Sequence, residues 1–204
     1  MAMVLGLVLA LSFVGSGIGL VSLGRIASET ETMLGQSLAA ERVASDWYRN
    51  ITNGVNRTSA IAVSTDPSLA QFFAATAAES TKQSSEYQKQ LETLLSGDEA
   101  RKLFDQLSEA RKRYLSSRDA VTAAKKAGDA DRAKALFEQE FQPAAAAFQD
   151  SMKAVMQHER THLDEAAQRV DDANRRARWA LLAFGMSALL AGVGLSIWLA
   201  RTIT

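Results

Sequence analysis

The stretch LLSGDEARKLFDQLSEARKRYLSSRDAVTAAKKAGD, residues 94–129, decides the fold. Ser96-Gly97 and Gly128 stand as stops at its two ends, and no glycine or proline interrupts the run from Asp98 to Ala127. Within it Leu103, Leu107, Ala110, Tyr114, Val121 and Ala124 recur at helical spacing and so share one face. A glycine just past the last turn ends a helix well, because it accepts the left-handed conformation. One amphipathic helix cannot bury its stripe alone and must pack against others.

The flanking sequence supplies those partners. Upstream, Ile26, Met33, Ala40, Trp47, Gly54 and Ile61 repeat every seven residues, and the helix they mark ends near Ser64, where Thr65-Asp66-Pro67 disfavours continuation. Pro67, suited to a first helical turn, starts a second helix that runs to Leu95. Downstream, a short helical piece opens at Asp129 and is interrupted or kinked at Pro143. A longer helix follows through Phe148, Met152, Val155, Ala166, Val170 and Ala173. The links are short, so neighbouring helices are antiparallel. The predicted fold is all-α, an antiparallel up-down four-helix bundle with helices of about 45 to 60 Å.

Both ends of the chain are apolar. No charged residue occurs from Met3 to Leu23 or from Trp179 to Ala200, and each run is long enough to span a hydrocarbon layer of about 30 Å. The expected organisation is a transmembrane helix over 1–24, an extracytoplasmic sensor bundle over 25–178 and a second transmembrane helix over 179–200. Trp179 and Trp198 fall where an aromatic belt belongs. Gly15 with Gly19, and Ala188 with Gly192 and Ser196, have the spacing of close helix contacts in lipid. The first run lacks the basic start of a cleaved signal and is longer than a signal core, which favours a retained anchor. Arginine counting alone, with Arg175, Arg176 and Arg178 before the second span and Arg201 after it, points to a cytoplasmic bundle. A translocated loop of about 150 residues largely escapes that rule.

Composition narrows the function. With 23 basic and 23 acidic side chains there is no nucleic-acid footprint, and the absence of cysteine removes disulfides, thiolate metal sites and thiol nucleophiles. His158 and His162 are spaced i, i+4 but lack the third ligand of a metal motif, so no metal or cofactor is expected. No phosphate loop, nucleophile triad or carboxylate pair is present, and an enzyme is not the expected reading.

The chemistry instead gathers around three residues of the opening stretch. Arg111, Tyr114 and Arg118, at i, i+3 and i+7, share the face that carries Leu107, Ala110 and Val121. Arginines held against a core need an anion, either an Asp or Glu of the chain itself or a ligand. Counting helical rise from the Ser64, Pro67 and Gly128 end, Asn50, Asn53, Arg57, Thr81, Arg111, Tyr114 and Arg118 fall in one layer about 10 to 25 Å deep. Ser84 and Ser85 add hydroxyls to it, and the small residues Ala144 to Ala147 are expected opposite. Such a layer suits a small carboxylate held by bidentate arginine contacts.

Several segments are similar to the methyl-accepting chemotaxis receptors with a four-helix-bundle ligand domain. They are Asp46-Trp47-Tyr48-Arg49-Asn50-Ile51 followed by Asn53 and Arg57, the Gly128-Asp129 turn, Phe137 with Pro143, and Ala200-Arg201-Thr202-Ile203-Thr204, which resembles the opening of a HAMP linker over 201–204. The resemblance implies a sensor of organic acids such as citrate or malate, with Arg57, Thr81, Arg111, Tyr114 and Arg118 as its carboxylate site. It also implies a homodimer formed through the first helix, a bundle in the periplasm anchored in the bacterial inner membrane, and a last helix that shifts toward the membrane. Kinase-coupling partners would act through a region outside this sequence. The same module also heads histidine kinases and cyclases, and a ligand-free membrane-anchored scaffold or a sensor of amino acids or aromatic acids are the other readings of the sequence.

Overall fold

The computed structural model describes the backbone of residues 34–203 and, toward the C-terminal end, only some of the side chains. It contains two compact units, Met1–Leu163 and Asp164–Thr204. Helix α1 is described over residues 34–63. It is followed by α2 (Leu69–Phe72), α3 (Ala74–Leu94), α4 (Asp98–Lys126), α5 (Ala130–Leu136), a π-helical turn (Phe137–Phe141) and α6 (Gln142–Ile203). Among the described residues there is no strand.

Local chemistry fixes each boundary. At the α1–α2 corner the Asp66 carboxylate accepts from the Ser68 backbone N–H at 2.8 Å and from the Ser68 hydroxyl at 2.7 Å. This turn stabilised by a side chain delays the helix to Leu69, two residues later than Pro67 suggests. The second bundle helix also has a break at Phe73, so α2 and α3 are separate. Gly97 (φ 90°) and Gly128 (φ 77°) are the described residues with positive φ. After α4, the Gly128 N–H donates to the Lys125 carbonyl and the Asp129 N–H to the Ala124 carbonyl, both at 3.0 Å. That pair of bonds is a Schellman closure, and it needs a left-handed residue at Gly128. Asp129 then caps α5 by accepting from the Arg132 N–H at 3.0 Å.

Side-chain hydrogen bonds fix the helix directions. Gln36 donates to the Leu94 carbonyl while Asn50 bonds to Ser80 and Ser84, so numbers rise on α1 as they fall on α3. Gln88 with Ser108, Arg111 with Ser85 and Arg118 with Thr81 show the same for α3 and α4. Arg160 with Glu41 and Gln149 with Thr52 pair α6 antiparallel to α1. The first unit is an antiparallel four-helix bundle in which α2 with α3 forms the second helix, and α5, the π turn and α6 form the fourth. Trp47, Leu91, Leu107, Val121, Phe141, Phe148, Met152 and Val155 fill its core.

Pro143 neither stops nor breaks the fourth helix. Its missing N–H cannot bond to the Gln139 carbonyl, and the π turn immediately before it absorbs that mismatch. In the second unit α6 continues to Ile203. Trp179, Leu181, Leu182, Met186 and Leu190 on this part are exposed large apolar side chains. Among the described residues no helix is long and apolar enough to cross a membrane. The expected span over 1–24 lies outside the described residues, as do the side chains of Phe184, Ala188, Leu189, Ala191, Val193 and 195–200 within the expected span over 179–200.

Candidate functional site

The arginine layer read from the sequence assembles around a small cavity in the bundle. Helix α1 contributes Asn50, Gly54 and Arg57, α3 contributes Ser80, Thr81 and Ser84, α4 contributes Arg111, Tyr114 and Arg118, and α6 contributes Phe148. The spacing i, i+4, i+7 on α1 and i, i+3, i+7 on α4 puts each set on one helical face. The cavity is about 20 Å³, room for about one water.

Neutral partners hold two of the guanidiniums. Arg111 donates to the Ser85 hydroxyl at 2.8 Å and to the Gln88 side-chain carbonyl, and its Cζ lies 5.8 Å from the centroid of the Trp47 ring. Gln88 is itself oriented by donating to the Ser108 hydroxyl at 3.0 Å. The Arg111 Nε and Trp47 Nε1 are buried donors with no acceptor among the described residues. Arg118 donates to the Thr81 hydroxyl at 2.9 Å. It also pairs at 2.7 Å with Asp119, the layer's own carboxylate, but the Arg118 side chain is 21% exposed and that of Asp119 68%. An acid that faces solvent to this extent offsets little of the cost of holding Arg118 at the bundle edge. Arg57 makes no ion pair to any described residue.

Burial and mutual repulsion shape the electrostatics. Desolvation lowers the Arg111 pKa below its ordinary value, and the Arg118 charge lowers it further. Arg57 is lowered as well, first by desolvation and with a contribution from Arg118, against an opposing effect of Tyr114. Burial raises the Tyr114 pKa, although Arg118, Arg57 and a hydrogen bond with Thr58 pull the other way. The Tyr114 ring is wedged between Phe141, centroids 5.6 Å apart, and Phe148 at 5.3 Å. Asn50 completes the wall, accepting from Ser80 at 2.8 Å and Ser84 at 3.1 Å while donating to Gln83.

Five of the six residues expected at the site, Arg57, Thr81, Arg111, Tyr114 and Arg118, come together here. Asn53 does not: although it is three residues from Asn50 and four from Arg57, it lies at the outer margin of their face, exposed and absent from the cavity wall. Ala144 to Ala147 do not line this cavity, and Ala145 is buried in the core. Ala144 and Ala147 line a separate cleft of about 400 Å³ with Ala110, Arg113 and Glu140, and Phe148 faces the guanidiniums instead. The sequence reading also missed Gly54, Ser80 and Gln88. Gly54 and Ser80 were findable, since they lie four residues from Asn50 and Ser84 on the faces already chosen. The His158 and His162 rings are 4.5 Å apart, and no group of three or more metal-capable side chains exists among the described residues.

No curated protein matches the chain. The model of one family does, that described as a four helix bundle sensory module for signal transduction, and it covers residues 1–175. The bundle has the four helices that this description names, and its polar layer lies inside the matched residues. The chain therefore belongs to the four-helix-bundle sensory modules of the methyl-accepting chemotaxis signal transduction proteins.

Proposed function

We propose that the chain is the sensory half of a transmembrane receptor whose bundle takes up a small di- or tricarboxylate, citrate- or malate-like, at Arg57, Thr81, Arg111, Tyr114 and Arg118. The observation that carries this reading is the gathering of three guanidiniums around one cavity with a single, solvent-facing carboxylate to balance them. Cations held in this way are stabilised by a multivalent anion that brings its own charge and acceptors. The cavity has room for about one water, so uptake requires Arg111 to exchange Ser85 and Gln88 for ligand carboxylates. That exchange replaces neutral acceptors by anionic ones, which add Coulombic attraction and bidentate geometry to the hydrogen bonds.

In this proposal the bundle sits in the periplasm, and an apolar segment at each end anchors it in the inner membrane. The charge-free run Trp179–Ala200 and the exposed Trp179, Leu181, Leu182, Met186 and Leu190 support the second anchor. The module acts as a homodimer, carries no catalysis, and passes occupancy along α6 to a signalling region such as a chemotaxis, histidine kinase or cyclase output. Calorimetric titration of the chain in detergent micelles with citrate, malate and succinate tests the reading. At least one acid should give saturable heat, and absence of heat with all three would reject the carboxylate site in favour of a ligand-free scaffold.

A further inference from the structure

The guanidinium cluster has a second neighbour besides its small cavity. A groove of about 450 Å³ opens between the ends of α1 and α4 and the start of α3, and it shares Arg57, Thr81 and Arg118 with the cavity. Thr58, Asp119, Thr122 and Lys126 add further polar lining along α1 and α4, and the remaining side of the groove is apolar. Ile61 on α1, Ala70 on α2, Phe73, and Ala74 and Ala77 on α3 make an apolar wall running toward the α1–α2 corner. Thr81, Ala77 and Ala74 follow one another at helical spacing, so polar floor and apolar wall lie on one continuous face. Ile61 is 6% exposed and Ala70 4%, which makes the wall a built part of the core margin rather than loose surface. Phe73 is held edge-on by Phe72, centroids 5.0 Å apart.

From Thr81 to Ala74 α3 advances seven residues, or about 10 Å of helix at 1.5 Å per residue, and Phe73 and Ala70 lie beyond its start. A four-carbon diacid engaged by Arg57 and Arg118 leaves the Ile61, Ala70 and Phe73 end of the groove empty. We propose that the apolar wall is a second subsite, and that the ligand class of this module is a carboxylate bearing an aryl or branched alkyl arm. The acid groups sit on Arg57, Arg118 and Thr81 and the arm lies along Ile61, Phe73 and Ala74. The inference rests on reading the arginine cluster as an anion site and adds to it what the ligand must carry besides charge. An arm that removes about 60 Å² of apolar surface from water is sufficient for a tenfold gain in affinity. The wall is formed by Ile61, Ala70, Phe73, Ala74 and Ala77, so burying that much is within its reach.

Succinate and benzylsuccinate carry the same two carboxylates and differ by one apolar arm, so they isolate the subsite. The full 204-residue chain in detergent micelles, titrated with each by calorimetry, is expected to bind benzylsuccinate at least about tenfold more tightly. Ala74→Phe, which fills the groove, is expected to bring benzylsuccinate down to the affinity of succinate while leaving succinate unchanged. Because partition of the arm into micelles is blind to residue 74, this variant separates groove binding from detergent. Equal affinity for the two acids, or equal weakening of both by Ala74→Phe, would overturn the subsite while leaving the anion site standing. Binding of neither acid would remove the anion reading itself and the subsite with it.

Discussion

Gly54 and Tyr114 show how closely single residues set the site. A Cβ at position 54 would lie 2.8 Å from the Tyr114 hydroxyl oxygen, nearer than side chains tolerate. Tyr114 cannot easily retreat, because its ring is held between Phe141 and Phe148. Gly54→Ala should therefore destabilise the bundle by about 1–3 kcal/mol as an overpacked contact, despite the better helix propensity of alanine. In a Tyr114→Phe background the offending oxygen is gone, and the same change should become neutral or stabilising by about 0.5–1 kcal/mol. Chemical denaturation of the four proteins checks this, and a penalty that survives without the hydroxyl would refute the contact. Tyr114 also makes a pH prediction. Its folded pKa is raised above the ordinary 10.0, so the unfolded chain ionises first. The contribution is complete below about pH 10 and is lost as pH climbs through the folded value. Stability should fall more steeply above pH 10 in the parent than in Tyr114→Phe, as followed by urea midpoints. At this scale Arg111, Tyr114 and Arg118 were legible because three residues of one amphipathic face sufficed to place them. Asn53 shares that height but is exposed and outside the cavity wall, a distinction of a few ångströms at the edge of a helical face that spacing alone does not resolve.

At the scale of elements, helix ends were the most readable feature, since Gly97, Gly128 and Pro67 punctuate the chain and each has a local physical effect. Gly128 is the sharpest case, being left-handed inside a Schellman closure. Gly128→Ala should cost about 1–2 kcal/mol of unfolding free energy, measurable as a lower denaturation midpoint, with helix content unchanged at low denaturant. The π turn at Phe137–Phe141 was not legible. It depends on one extra residue per turn, which has no composition of its own, and Pro143 signalled only that something must give. That extra residue rotates all that follows by about 100° relative to an uninterrupted α-helix. The rotation explains why Ala144 and Ala147 face the cleft with Arg113 and Glu140 while Phe148 meets Tyr114. The turn also puts Phe141 against Tyr114. Phe148, on α6 itself, brings the helix that follows the turn into contact with the same Tyr114 side chain.

For the molecule as a whole, charge balance within the bundle organises the account. The core is apolar and alanine-rich, and the polar layer interrupts it with cations whose neutral partners suffice for folding but not for full compensation. A ligand that binds only the folded bundle should raise its stability by about 2.7 kcal/mol at a hundred times its Kd. That gain appears as an upward shift in melting temperature in the presence of the acid. The bundle was legible from four apolar stripes and their stops. Membrane anchoring was read from the two charge-free ends, of which the first lies outside the described residues. The most direct test of the central claim is the affinity of a bound dicarboxylate for the parent chain against Arg111→Ala and Arg118→Ala, measured by calorimetry. Each replacement is predicted to cost about 2–5 kcal/mol of binding, as expected for loss of a desolvated charge partner. Unchanged affinity in both variants would contradict it.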